Sequence, residues 1–159
     1  MKIQLIWIGK TKANFIKQGI DFYAKKLRHF TSLEIKEVKE MAKGACVQPS
    51  QQALIKKKEG EKLQLACKQS SFIVCLDEKG NTFTSIQFAK WLNTLEDRGT
   101  RNLAFIIGGP FGLDEKVIQN SHYRLSLSPM TFTHDMTRLI LLEQLYRAYT
   151  IIRNIPYHY

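Results

Sequence analysis

A chain of 159 residues is long enough to bury a core without staples, and its 44% hydrophobic and 24% charged content excludes a disordered polymer. The formal net charge of +10 attracts polyanions, nucleic acid first and an anionic membrane surface second, and by itself it also fits simple solubility charge. The three cysteines, Cys46, Cys67 and Cys75, have no two-residue spacing, which excludes a zinc ribbon or thioredoxin-like motif and fits free thiols in a reducing cytoplasm.

The elements alternate along the chain. Met1 to Ile8 reads as a strand; its opening MKIQLIWIG lacks the cleavage region of a signal peptide. Asn14 to Phe30 is expected to be an amphipathic helix, because Ile16, Ile20, Tyr23, Leu27 and Phe30 recur at steps of four and three. Leu33 to Val38 reads as a short strand. Ser50 to Gln69 reads as a lysine-rich helix with its apolar side near Leu54, Ile55, Leu63 and Ala66. Phe72 to Leu76 is continuously apolar, as in a parallel strand covered on both faces, and Cys75 within it is expected to pack. Ser85 to Arg98 is a helix with Phe88, Leu92 and Leu95 inward and Gly99 as its cap. Leu103 to Ile107 is another buried strand, and a short helix follows from Asp114. Tyr123 to Leu127 is a fifth strand, and Met136 to Asn154 a long final helix. No apolar run approaches membrane-spanning length.

Strands alternating with helices predict an α/β domain with a largely parallel sheet, whose ligands sit outside the carboxyl ends of the strands. That rule singles out three places. After Leu76 come Asp77 and Glu78, which either touch a ligand or start a turn. After Ile107 comes Gly108-Gly109-Pro110-Phe111-Gly112, where glycines allow close backbone approach; a tight turn explains them equally well, and no dinucleotide or P-loop spacing is present. After Leu127 comes a small polar loop with Met130 and Phe132 as apolar walls, or an ordinary connection capped by Thr133 or Asp135.

The final helix is apolar around most of its circumference, with Leu139, Leu142, Tyr146 and Tyr149 close together, which predicts cover by a second subunit. Glu143 and Arg147 are spaced for a helix ion pair. Arg138, Arg147 and Arg153 are candidates to face RNA phosphates. The tail Tyr157-His158-Tyr159 either stacks on a base or docks in a site, or is tucked against its own surface.

Together FIVCLDEKG (72–80), IIGGPFGL (106–113), LSLSPMTFTH (125–134) and RLILLEQLYRAYTIIRNIPYHY (138–159) resemble one family. It is the RlmH family of ribosomal large-subunit pseudouridine N3-methyltransferases, within the SPOUT superfamily. The resemblance covers essentially the whole chain. It implies an α/β SPOUT fold, with a mainly parallel five-to-six-stranded sheet flanked by helices and a C-terminal trefoil knot, as a single domain over residues 1–159. It implies S-adenosyl-L-methionine as cofactor, leaving as S-adenosyl-L-homocysteine, with no metal. Cofactor contacts would fall on Leu76, Gly108, Leu127, Ser128, Pro129, Met130, Thr131 and Phe132. The implied reaction is methylation of N3 of pseudouridine 1915 in helix 69 of 23S rRNA, on the assembled 70S ribosome, by a cytoplasmic homodimer without a membrane partner. His158 and Glu143 are the candidates to accept the N3 proton, Tyr157 and Arg147 would position the nucleotide, and His134 would orient the cofactor loop. One subunit's tail would complete its partner's site. Three positions depart from the family pattern: Phe111 stands where Glu is common, Thr133 where proline is common, and Tyr159 where a basic residue is common. A non-catalytic ribosome- or RNA-binding protein on the same fold remains the alternative.

Overall fold

The computed structural model describes residues 1–41 and 48–157. The elements run β1 (Lys2–Ile8), α1 (Asn14–Leu27), β2 (Ser32–Val38), α2 (Pro49–Ala66), β3 (Phe72–Asn81), α3 (Ser85–Asp97), β4 (Asn102–Ile107), α4 (Glu115–Gln119), β5 (Tyr123–Leu125) and α5 (His134–Ile152). The strands form a five-stranded sheet in the order β2-β1-β4-β3-β5, and each neighbouring pair is parallel.

Strand composition explains the layering. In β1, Ile3, Leu5 and Trp7 point to one face while Ile6 and Ile8 point to the other, and all five are buried. In β4, Leu103, Phe105 and Ile107 alternate in the same way with Ala104 and Ile106. One face packs against α1, α3 and α5; the other packs against α2 and α4. Both faces being covered is why the central strands read as unbroken apolar runs. Cys75 is fully buried in this packing, as expected.

Parallel register fixes where the strands end. Trp7 pairs with Ile107, Ile8 with Val38, Cys75 with Ile106, and Leu76 with Leu125. The connections that leave β3, β4 and β5 therefore emerge at one edge of the sheet.

Several boundaries and faces differ from the sequence expectations. The helix α1 stops at Leu27, short of Phe30. Strand β5 ends at Leu125, two residues early, and β3 continues to Asn81, which pairs with Leu125 after a register shift. An Asp77–Arg124 ion pair of 2.8 Å ties this extension to β5. In helix α2 Leu63 is buried and Ala66 packs against the core as expected, whereas Leu54 is 53% exposed and Glu59 and Gly60 take inward places. The cause is Gly60, where an added Cβ would lie 2.8 Å from the Asp114 Cβ; the missing side chain lets α2 lie against α4 and sets its rotation. Thr133 caps α5 by accepting from the Met136 amide at 3.3 Å, so the helix begins two residues before the expected Met136.

Part of the apolar breadth of α5 is accounted for within the chain. The helix lies between α1 and α3, with Leu141, Leu142, Leu145, Ala148 and Tyr149 buried. Leu139 fills the space over Gly19 of α1, its Cδ1 2.8 Å from where a glycine Cβ would be. Two intramolecular partners thus cover one side of the stripe, while Leu139, Tyr146 and Ile152 stay half-buried. Among the described residues no helix is long and apolar enough to cross a membrane.

Arg138 corrects a second expectation. It is fully buried and does not face solvent phosphates. Nη2 donates to the Ile8 carbonyl at 2.6 Å, Nη1 donates to Thr11 Oγ1 at 2.8 Å, and Nη1 lies 2.9 Å from Asp135 Oδ1. Its guanidinium also covers the Trp7 ring at 5.1 Å. Burial lowers its pKa, opposed chiefly by Asp135. Removing one partner of a buried pair strands the other charge. Arg138→Ala is expected to lower the unfolding free energy in urea by about 3–5 kcal/mol. Lys57→Ala, at an exposed position of α2, is expected to change it by less than about 0.5 kcal/mol in the same measurement.

Candidate active site

The three connections enclose a cleft of about 700 Å³ at the carboxyl edge of the sheet. Leu76 and the turn after it form one wall, the 108–112 loop a second, and residues 126–134 a third. Each wall is built by local chemistry. The glycine-rich segment folds back on itself, with the Gly112 amide donating to the Gly109 carbonyl at 3.0 Å and Gly112 at φ +79°. A Cβ on Gly108 would lie 2.7 Å from the Gly112 carbonyl carbon, so this turn admits no side chain there. The segment is therefore a tight turn and a cleft wall at once.

Behind it lies Glu59, which is 3% exposed. Its Oε1 accepts from the Met41 amide at 3.0 Å, while Oε2 has no hydrogen-bond partner among the described residues. Burial pushes this carboxyl up.

The third wall is organised by short-range hydroxyl bonds. Ser126 Oγ donates to the Ser128 carbonyl at 2.9 Å, and the Met130 amide donates to Ser128 Oγ at 2.9 Å. Thr131 Oγ1 donates to Glu78 Oε2 at 3.2 Å, which links this loop to the far half of β3. Asp77 accepts from the Lys79 amide and from Arg124, both at 2.8 Å. Both acidic residues after Leu76 are thus held by neighbours. Met130 is 75% and Phe132 39% exposed, so two large apolar side chains stand at the cleft without packing partners to cover them.

Leu76, Gly108, Leu127, Ser128, Met130, Thr131 and Phe132 all line the cleft. Pro129 is exposed and is not among the lining residues. Lys56, Phe111, His134 and Thr137 line it as well. Lys56 and Thr137 carried no signal in the sequence, because α2 and α5 reach this edge only through the fold. A helical reading one turn beyond the Thr133 cap would have found Thr137. Among the described residues no group of His, Cys, Asp and Glu is placed to hold a metal ion.

The remaining candidates gather elsewhere. Glu143, Arg147 and Tyr157 form a cluster on α5 with Tyr23 of α1. Glu143 Oε1 accepts from Arg147 Nε at 3.0 Å, Arg147 Nη2 at 2.6 Å and Tyr157 Oη at 3.3 Å, and Oε2 accepts from Gln144 at 2.7 Å. This is the helix ion pair that the spacing suggested, and it raises the Arg147 pKa. Tyr157 sits edge-on to Tyr146 at 4.8 Å with the Arg147 guanidinium 4.9 Å from its centroid. Burial and its contact with Tyr23 push the Tyr157 phenol up. The tail is therefore tucked against its own surface as far as Tyr157. His158 and Tyr159 lie outside the described residues. None of Glu143, Arg147 and Tyr157 lines the cleft. Thr137, which does, precedes Glu143 by six residues, or about 9 Å along the helix.

Comparison with known proteins gives the same picture over the full length. A family model described as "Predicted SPOUT methyltransferase" matches residues 1–158. A putative ribosomal RNA large subunit methyltransferase H from Methanoregula boonei is 42% identical over 158 residues, covering 99% of both chains. A ribosomal RNA large subunit methyltransferase H from Halothermothrix orenii is 43% identical over the same share of each. Among solved structures, a probable methylase family protein from Haemophilus influenzae Rd KW20 superposes with a TM-score of 0.59 at 12% identity, over 99% of this chain and 70% of that one. A probable methyltransferase from Bordetella pertussis Tohama I gives 0.55 at 14% identity, over 93% and 96%. The structural likenesses speak for the fold; with the family model and full-length relatives of this similarity, the chain belongs to the SPOUT methyltransferase family.

Proposed function

We propose that this chain is an S-adenosyl-L-methionine-dependent methyltransferase acting on 23S rRNA, and that its target is N3 of pseudouridine 1915 in helix 69 of the assembled 70S ribosome. The observation that carries the reading is the cleft itself. Three connections from adjacent parallel strands meet there, and apolar side chains stand open at its mouth. Its volume falls in the range of small-ligand sites. Its walls mix Leu76, Ile107, Leu127, Met130 and Phe132 with small polar residues, which suits a nucleoside that carries an aliphatic arm. The names of the full-length relatives support the RNA substrate, and the net charge of +10 suits a ribosomal surface.

When bound, the cofactor supplies an activated methyl group. The chain's own residues supply position. Leu76, Gly108 and the run Leu127, Ser128, Pro129, Met130, Thr131 and Phe132 hold the donor. The Thr131–Glu78 bond keeps two of these walls at a fixed separation. Arg147 and Tyr157, carried by Glu143, and His158 beyond them position the target nucleotide. Because this cluster does not line the cleft of its own chain, the reading requires a homodimer in which each tail serves the partner's cleft. A C-terminal trefoil knot and a cytoplasmic location complete the proposal.

Two experiments test it. Transfer of labelled methyl to 70S ribosomes lacking the modification, followed by mass-spectrometric mapping, is expected to place the label on N3 of that pseudouridine. Label on a different nucleotide, or faster transfer to free 23S rRNA than to ribosomes, contradicts the substrate. Mixing a cleft variant (Leu127→Arg) with a tail variant (Arg147→Ala) tests the composite site. Each alone is expected to be inactive, and re-formed mixed dimers are expected to recover activity through one intact site. Failure to recover, with both variants folded and dimeric, contradicts a shared site.

A further inference from the structure

We propose that His134, oriented by Asp135, accepts the proton that leaves the target nitrogen. The inference rests on the reading of the chain as an N-methyltransferase and adds the acid–base residue that this chemistry needs. In the reaction the N–H electron pair stays on nitrogen and becomes the new N–C bond. The pair of the donor's C–S bond leaves with sulfur, and the proton goes to the imidazole. No other reactant is consumed.

Among the described residues the cleft is lined by three carboxylates and one imidazole. Asp77 is occupied by Arg124 and the Lys79 amide. Glu78 is occupied by Thr131. Glu115 stands exposed in the first turn of α4 and accepts from Gln119. Lysines and arginine are protonated donors and do not serve as acceptors. Glu143, outside the cleft, already accepts from Arg147, Tyr157 and Gln144. His134 remains.

Its geometry suits the task. The side chain is 32% exposed, enough to be reached from the cleft. Nε2 lies 3.4 Å from Asp135 Oδ1, close but without a hydrogen bond, and in this proposal the ring proton sits on this nitrogen, nearest the carboxylate, with the Nδ1 lone pair as acceptor. Asp135 is itself fixed: Oδ2 accepts from the Lys12 amide at 3.1 Å, and Oδ1 lies 2.9 Å from Arg138 Nη1. A carboxylate beside the ring then stabilises the imidazolium once the proton arrives. The charged groups that face His134 come from three elements. Asp135 of α5 and Glu40 beyond β2 favour the protonated ring; Arg138 of α5 and Lys12 before α1 oppose it. Burial is the largest influence, and the net displacement is downward from 6.5. The ring is therefore neutral at pH 7, and the acceptor form is lost only as pH falls through that lowered value.

The test uses His134→Gln and His134→Asn in the full-length dimer, with thermal melting to establish folding. Single-turnover methyl transfer to 70S ribosomes is followed across about pH 5 to 9, where an acceptor of this kind titrates. Donor affinity is measured by calorimetry, and the His134 tautomer and titration in the unaltered chain by nitrogen-15 NMR. The rate is expected to fall on the order of 10²–10⁴-fold with the acid limb abolished. Donor affinity is expected to stay within about threefold, because an acceptor acts in the transition state rather than in binding. NMR is expected to show the Nε2–H tautomer at neutral pH. Retained turnover in both variants overturns the assignment, as does an Nδ1–H tautomer. A rate loss that follows weakened donor affinity gives His134 a holding role instead and overturns it too. An acid limb that disappears in His158→Ala and persists in His134→Gln moves the acceptor to the tail. Absence of transfer by the unaltered chain overturns the enzymatic reading itself, a result distinct from all of these.

Discussion

A guanidinium without solvent exposure joins the end of β1 to the start of α5, and the geometry of the cleft follows from it. Arg138 reaches the Ile8 carbonyl, the Thr11 hydroxyl and the Asp135 carboxylate together, with the Trp7 ring against its face. Isolated, such a charge would be costly to bury; here three oxygens and an aromatic face offset the lost water. The bonds pull the first turn of α5 onto the carboxyl end of β1. That turn carries His134 and ends the 126–134 segment. With β5 fixing its other end, the segment has few alternative paths, and the third wall of the cleft is positioned before any ligand arrives. The same contacts hold Asp135 beside His134, so the clamp that shapes the cleft also sets a carboxylate 3.4 Å from the imidazole that lines it.

The second cluster has a different character. Glu143 gathers Arg147, Tyr157 and Gln144 on the flank of α5, and Tyr23 of α1 closes the group. Hydrogen bonds to a charged acceptor are among the stronger ones, so Tyr157 is held at a defined place although it lies near the end of the chain. Preorganised phenol and guanidinium groups lower the ordering cost of capturing a flexible nucleotide. Their separation from the cleft of the same chain is the physical reason to assign them to a neighbour's reaction.

Much of this was legible in the sequence, and the misses have physical causes. Burial on both faces gives β1, β3 and β4 their unbroken apolar character, so strand positions and the functional edge could be read directly. Seven of the eight positions that the family resemblance marked as donor contacts line the cleft, at the strand ends where a parallel sheet takes its ligands. On α2 Leu63 and Ala66 face the core as read, and Leu54 does not; periodicity weighs side chains, whereas Gly60 packs by having none. Arg138 was taken for a surface cation because nothing local marks a buried arginine; its partners Ile8 and Thr11 lie more than a hundred residues away. The breadth of α5 was legible, and α1 and α3 of its own chain cover one side of it while Leu139, Tyr146 and Ile152 stay half-buried.

The central claim is that one edge of the sheet receives the methyl donor on three loops at once. Hydrogen–deuterium exchange of the full-length chain, with and without saturating S-adenosyl-L-methionine, tests it directly. The account predicts slowed exchange in 76–79, 108–112 and 126–134 together, with α1 and β2 unchanged. Protection confined to one of these segments, or unaltered exchange in all three, would contradict it.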